Sequence, residues 1–283
     1  MPKRDLFFRS PLLNAAGMLG FAPDFHAETL WSELGAFVTN PLSWRPRKPA
    51  FHPIVMEYPG GFLLHTGLPN PGFKTAVKKY AHKWADSSLP IIVNIMADHP
   101  EETARMVESL EHVENIMAAE LGFAPLLADD IIFTSLEMAM GELPLIVSLP
   151  VEQAITLGPR IIEAGAAAVS LSAPRGSLSL KLDPASAGSE KLIAGRLYGP
   201  GLFPQSLETV HRLSGVGVPV IGGGGVYKQE QVEIMKQAGA MAVQLDAILW
   251  RGGFQTDSGR VSNSASQAHD YTTANGSKIQ TEI

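Results

Sequence analysis

Short apolar runs rich in Val, Ile, Leu and Ala recur at Pro11–Ala16, Ala36–Asn40, Ile91–Ile95, Ile116–Leu121, Leu145–Leu149, Ala167–Ser172, Val218–Gly222 and Met241–Asp246, and they alternate with segments of helical period. The runs are almost continuously apolar, as expected of parallel strands that face packed side chains on one side and helices on the other. The clearest helix follows Asn70-Pro71-Gly72, where Phe73, Ala76, Val77, Tyr80, Ala81 and Trp84 form one stripe over three turns. Asp24 opens another predicted helix through Ala27, Leu30, Trp31 and Leu34, stopped by Gly35. Further helices are predicted at Ile131–Met140 and at Gln229–Ala238, the latter closed by Gly239. Eight such units in about 250 residues predict an α/β fold of the (β/α)8 barrel type, with a doubly wound open sheet as the competing architecture.

Two stretches exceed a minimal barrel. Ser43 to His65 is Pro-rich and carries a predicted hairpin around Ile54–Tyr58 and Gly60-Gly61, inserted after the second strand; Pro174 to Pro204 is a long connection after the sixth strand, ending in Tyr198-Gly199-Pro200-Gly201. Connections of this length on the C-terminal face of a barrel build or cover sites. Past Trp250 the periodicity stops, so the expected organisation is a barrel over residues 1–254 and a polar tail over 255–283, with the final helix reduced or missing. Such a loss uncovers apolar surface beside the eighth strand. Either the tail folds back over it, or a second copy or a different protein covers it.

The composition is that of a folded chain: 45% of the residues are hydrophobic and only 18% charged. With 22 basic and 28 acidic residues the formal charge is −6, which argues against nucleic acid or an anionic membrane as the main partner. No cysteine is present, and that removes disulfides, thiolate metal sites and thiol nucleophiles together. The start, Met1 to Phe8, has too short an apolar stretch for a signal peptide, and no window offers eighteen uninterrupted apolar residues. A cytoplasmic location is the expectation.

The chemistry-bearing residues are few. Gly222 to Gly225 follows an apolar strand and precedes a helix, a place where bare backbone N–H groups cradle a phosphate; a tight turn needing positive φ would use the same glycines. Asn94 ends the third strand with an amide suited either to a planar ligand edge or to a turn. Glu120 ends the fourth strand as a general base or as a satisfied structural carboxylate. His52 and His65 lie in the extended connection near the barrel mouth without metal-like spacing. Arg196 and Tyr198 bracket the Gly-Pro-Gly turn, as an anion-gripping flap or as turn packing. There is no dinucleotide fingerprint after a strand, no Walker loop and no His-Glu-x-x-His.

Taken in order, Pro11-Leu12-Leu13-Asn14-Ala15-Ala16-Gly17, Gly35-Ala36-Phe37-Val38-Thr39, Gly67-Leu68-Pro69-Asn70-Pro71-Gly72, Leu89 to Ile95, Gly195 to Pro200 and Pro219 to Val226 followed by Ala238-Gly239-Ala240 resemble the dihydroorotate dehydrogenase family of FMN-binding barrels over about residues 6 to 250. The resemblance implies FMN as cofactor, contacted by Ala16, Gly17, Asn94, Gly199, Gly223, Gly224 and Gly225. It also exposes departures. The family's proton-abstracting Cys or Ser lies on a loop after the fourth strand; here Ala119-Glu120-Leu121 matches the start of that motif, and Gly122-Phe123-Ala124-Pro125 follows without the base or its flanking amides. Two substrate-binding Asn positions of the family hold Leu64 and Ala173, two Lys positions beside the flavin hold Asn40 and Ser148, and the small Gly-Thr pair after the eighth strand is Asp246-Ala247. No residue is assigned as catalytic, and these changes argue against both dihydroorotate oxidation and a tight flavin site. Two readings remain: an FMN-dependent oxidoreductase that has diverged to another substrate, and a noncatalytic, flavin-free descendant acting as an assembly or regulatory subunit.

Overall fold

The computed structural model describes residues 5–24, 31–51, 54–125, 127–181 and 190–254. Eight parallel strands close into a barrel: β1 (Leu12–Asn14), β2 (Leu34–Val38), β5 (Ile91–Met96), β6 (Ile116–Gly122), β7 (Leu145–Pro150), β8 (Ala168–Ser172), β11 (Val220–Gly223) and β12 (Ala242–Leu245). Their order around the barrel is β1-β12-β11-β8-β7-β6-β5-β2. The helices between them are α1 (Phe73–Ala85), α2 (Pro100–Leu110), α3 (Asp129–Met138), α4 (Val151–Glu163), α5 (Phe203–Gly215) and α6 (Gln229–Gln237). All eight predicted strands are present, displaced at their ends by at most two residues.

The remaining strands, β3 (Ile54–Tyr58), β4 (Gly61–His65), β9 (Arg175–Lys181) and β10 (Glu190–Tyr198), form a separate antiparallel sheet in the order β3-β4-β10-β9. The predicted hairpin is thus β3 and β4, paired from Ile54 opposite His65 to Tyr58 opposite Gly61. The long connection after the sixth barrel strand is itself a second hairpin that joins the first, a pairing between segments more than a hundred residues apart that local periodicity does not reveal. Both insertions leave the C-terminal ends of barrel strands, so the sheet stands at the mouth.

Alternation along the strands sorts the interior into layers. Leu13, Ala36, Val38, Ile92, Ala118, Ile146, Ala168, Ile221 and Ala242 form a buried cluster inside the barrel, while their neighbours Leu12, Phe37, Val93, Ala119, Val147, Val169, Val220 and Val243 belong to the larger cluster beneath the helices. Two residues nearer the mouth, in the next inward layer, the interior turns polar with Asn94, Glu120, Ser148, Ser170 and Gln244. One strand pitch further, Asp246 continues the inward series from Ala242 and Gln244.

One predicted element is corrected. The helix expected from Asp24 through Leu34 does not extend that far: Trp31–Glu33 is a single 3-10 turn and Leu34 already belongs to β2. Residues 25–30 lie outside the described residues. Leu34 to Val38 is buried throughout, so the barrel wall claims Leu34 ahead of the helical stripe it also fits. After β12 the chain makes a 3-10 turn over Ala247–Arg251. The predicted polar tail 255–283, with the expected loss of the last helix, lies outside the described residues, as does His52. Among the described residues, no helix is long and apolar enough to cross a membrane.

Candidate functional site

At the centre of the polar layer sits Glu120, 1% exposed. Its Oε2 accepts from Asn94 Nδ2 at 2.8 Å, and its Oε1 accepts from Ser170 Oγ at 2.6 Å and from Gln244 Nε2 at 2.9 Å. Four strands of the barrel are therefore tied through one carboxylate. Three neutral donors satisfy the charge where water is excluded, which fits a structural carboxylate better than a base awaiting a substrate proton. Asn94, the expected flavin-edge amide, has its Nδ2 committed to this network, and its backbone N–H donates to Thr39 Oγ1 at 3.0 Å.

The other anticipated cofactor residues stand at the same end of the barrel. Ala16 and Gly17 follow β1, Gly17 with a φ of 91°. Gly199 ends the β10 hairpin at a φ of 144°, and a Cβ there would collide with the Gly60 carbonyl oxygen. Gly223 ends β11, and Gly224 and Gly225 turn the chain at φ values of 96° and 75°. A Cβ on Gly224 would come within 2.6 Å of Ser206 Oγ, and one on Gly225 would strike the backbone nitrogen of Phe203, the first residue of α5. The glycines are needed for both reasons: the backbone is left-handed, and it runs against the start of a helix.

The Gly225 N–H is aimed at Asp246, whose Oδ2 accepts it at 3.5 Å. Asp246 is 4% exposed and its Oδ1 is a buried oxygen without a hydrogen-bond partner among the described residues. Burial pushes its carboxyl up to about 6, partly offset by the backbone N–H groups of Gly225, Ala247 and Asp246. Around it, Tyr198 is buried and its phenol is held above the usual range by burial, with Arg196 pulling the other way. Tyr227 is pushed up to about 12, first by burial and then by the Asp246 charge. The rings of Phe62, Tyr198 and Trp250 pack against one another at centroid distances of 5.4, 6.1 and 6.4 Å, and Trp250 Nε1 donates to the Met18 carbonyl at 3.0 Å. Tyr198 thus serves packing, and of the two sequence readings of the Arg196–Tyr198 pair, the geometry carries the turn-packing one. Strand β4, rather than a loop, carries His65; its Nδ1 lies 2.9 Å from the Ala194 carbonyl of β10.

The stretch after β6 is short. Gly122 still pairs with Met96 of β5, and α3 begins at Asp129. Its described residues Phe123, Ala124, Pro125, Leu127 and Ala128 bear no group able to take a proton, and Thr134 and Ser135 lie inside α3, where Ser135 Oγ donates to the Ala97 carbonyl at 3.0 Å. The backbone N–H of Ala124 donates to Asp98 Oδ1 at 2.6 Å, fixing the stretch to the β5 loop. Asn40 Oδ1, where the resemblance leads one to look for a cation, accepts the Gly20 N–H at 3.1 Å.

Sequence reading did not single out Asp98. It lines a cleft of about 390 Å³ with Ser43, Trp44, Arg45, Arg47, Met96, His99 and Glu102, between the connections that follow β2 and β5. None of the seven anticipated cofactor residues lines it. Its residues come from the loop after β2 and from the end of β5 through the first turn of α2, brought together by the β2–β5 pairing, which a linear motif does not encode. Among the described residues no cluster of three or more His, Asp and Glu is arranged to hold a metal ion.

A family model for dihydroorotate dehydrogenase matches residues 4–122. A protein of Pelobacter propionicus named dihydroorotate dehydrogenase B (NAD(+)), catalytic subunit, is 30% identical over 258 residues, covering 85% of this chain and 84% of its own length. A protein of the same name from Pyrococcus furiosus is 29% identical over 281 residues, covering 89% and 88%. The crystal structure of an Eimeria tenella dihydroorotate dehydrogenase in complex with ferulenol superposes with a TM-score of 0.60 at 15% identity, over 85% of this chain and 76% of that one, a likeness of fold.

Proposed function

This chain belongs to the dihydroorotate dehydrogenase family, and from that premise we propose that it is a member that does not oxidise dihydroorotate and that serves as a noncatalytic, flavin-free barrel subunit. Removing the proton of dihydroorotate needs a positioned acceptor within hydrogen-bond reach. The observation that carries the reading is the stretch after β6: it runs from Gly122 straight to α3 at Asp129 with apolar side chains only, and it is pinned by Asp98. The carboxylate just before it, Glu120, is saturated by three donors and sealed beneath the mouth. Leu64 and Ala173 at the substrate positions would leave polar groups of a planar acid unpaired, at roughly 1 to 3 kcal/mol each.

The cradle of Gly223 to Gly225 supports the flavin-free part of the reading, because the Gly225 N–H already faces a carboxylate of the same chain. On this reading the residues present do not fit a flavin phosphate there, and no redox step is assigned to the protein. The partner is a second copy or a different protein seated on the flank beside β12, and the chain works inside the cell. The test supplies purified chain with excess FMN, dihydroorotate and an electron-accepting dye. No substrate-dependent dye reduction is expected; sustained turnover overturns the reading.

A second reading, an FMN-dependent oxidoreductase of another substrate, is favoured by the glycines kept at Gly17, Gly199 and Gly223 to Gly225. Stoichiometric flavin in the purified protein would select it. A colourless protein that sediments as a dimer or as part of a larger complex selects the first.

A further inference from the structure

We propose that the Asp246 side chain is a tethered anion that fills the glycine cradle after β11 and keeps phosphate-bearing ligands out of it, and that this one side chain decides whether the cradle binds them. The inference stands apart from the loss of dihydroorotate oxidation: a chain without a base could still hold a flavin, and a chain closed to flavin could still carry a base.

Three observations converge on this carboxylate. The cradle backbone keeps a shape that only glycine tolerates, with Gly224 and Gly225 in the left-handed region and pressed against Ser206 and Phe203 at the start of the thirteen-residue α5. A backbone N–H of that cradle, Gly225, points at Asp246 Oδ2. The other carboxylate oxygen, Oδ1, is buried without a partner among the described residues, an arrangement that a polar side chain serving only as structure would avoid. Backbone N–H groups of a glycine turn attract an anion, and here the anion is supplied from the end of β12, in the inward series of Ala242 and Gln244. A phosphate brought beside it must either meet its charge or drive its protonation, which for a carboxyl at about 6 costs about tenfold in affinity at pH 7, and it must also displace the side chain that occupies the cradle.

The partners around Asp246 sharpen the point. The Asp246 charge adds to the burial that raises the phenols of Tyr198 and Tyr227, Arg196 and Arg251 pull those phenols the other way, and among the described residues no ion pair to Asp246 is seen. The negative charge is therefore left for an incoming phosphate to meet.

The experiment titrates FMN, followed by quenching of its fluorescence, into the full wild-type chain and into the Asp246→Gly, Asp246→Ala and Asp246→Asn chains, with inorganic phosphate as competitor and thermal unfolding of each chain as a control for folding. Wild type is expected to show no saturable binding. Asp246→Gly and Asp246→Ala, which remove both charge and bulk, are expected to bind at least a hundredfold more tightly and to release FMN to phosphate; Asp246→Asn, which removes charge alone, should fall between. Wild type that binds FMN within threefold of Asp246→Ala overturns the proposal. So does a folded Asp246→Ala or Asp246→Gly chain that does not bind, because the cradle is then closed by something else.

Discussion

Replacing Asp246 by Asn should make the protein more stable at neutral pH, and by an amount that disappears in acid. The folded-state carboxyl of Asp246 is pushed from its ordinary 3.8 up to about 6 by burial. At roughly 1.36 kcal/mol per pH unit, that difference makes the ionised form cost about 3 kcal/mol in the native protein. The sign follows from a raised folded-state value. Well below pH 4 the group is protonated both folded and unfolded, and its contribution to stability is complete; as pH rises from about 4 to about 6 the unfolded chain ionises while the buried carboxyl resists, and the contribution is lost by the time pH has passed through about 6. An amide in its place never ionises. Thermal unfolding of wild type and Asp246→Asn in parallel from about pH 3 to pH 8 should therefore show coincident midpoints at the acid end and a gap opening to roughly 5 to 10 °C in favour of the variant above pH 7. Every other titrating group is common to the two chains and drops out of the difference. A gap that does not change with pH, or wild type becoming the more stable chain as pH rises, would refute the reasoning by showing that the cradle solvates the carboxylate as well as water does.

Other consequences are open to direct measurement. Glu120→Ala should lower stability by about 3 kcal/mol or more, read by denaturant unfolding, because Asn94, Ser170 and Gln244 would be left with buried polar atoms unpaired; Glu120→Gln, which can still accept, should lose less. Gly225→Ala should cost roughly 1 to 3 kcal/mol, since it adds a Cβ at a φ of 75° and against the Phe203 backbone, whereas Gly215→Ala, at a helix end where a Cβ meets nothing within 4 Å, should be close to neutral. His65→Phe should loosen the pairing of β4 with β10, seen as faster amide exchange across Leu63 and Leu197, through loss of the contact to the Ala194 carbonyl.

Burial rules that act at short range made the barrel readable. Ile91 to Val93 and Leu145 to Val147 are apolar on both faces because both faces are covered, and the α1 stripe has one side to bury, so strand and helix announced themselves. Leu34 shows where that reading fails: it completes a helical stripe on paper, but the strand pairing of Leu12 with Leu34 claims it. The four-stranded sheet was half legible for a related reason. Gly60-Gly61 marks a local turn, but the union of β4 with β10 depends on a contact between distant segments. At the mouth, the glycine turns could be found by spacing, and the missing base after β6 by the family resemblance. The Asp98 cleft, the aromatic packing of Phe62, Tyr198 and Trp250, and the commitment of Asn94 to Glu120 exist only in three dimensions.

The claim on which the account rests is that this barrel has no group placed to take the substrate proton. Its most direct test is a single-turnover measurement: the Asp246→Gly chain, loaded with FMN so that cofactor access is not in question, is mixed with dihydroorotate without oxygen, and the visible flavin band is followed. The account predicts that the band stays at full height; its bleaching in proportion to added dihydroorotate would contradict it.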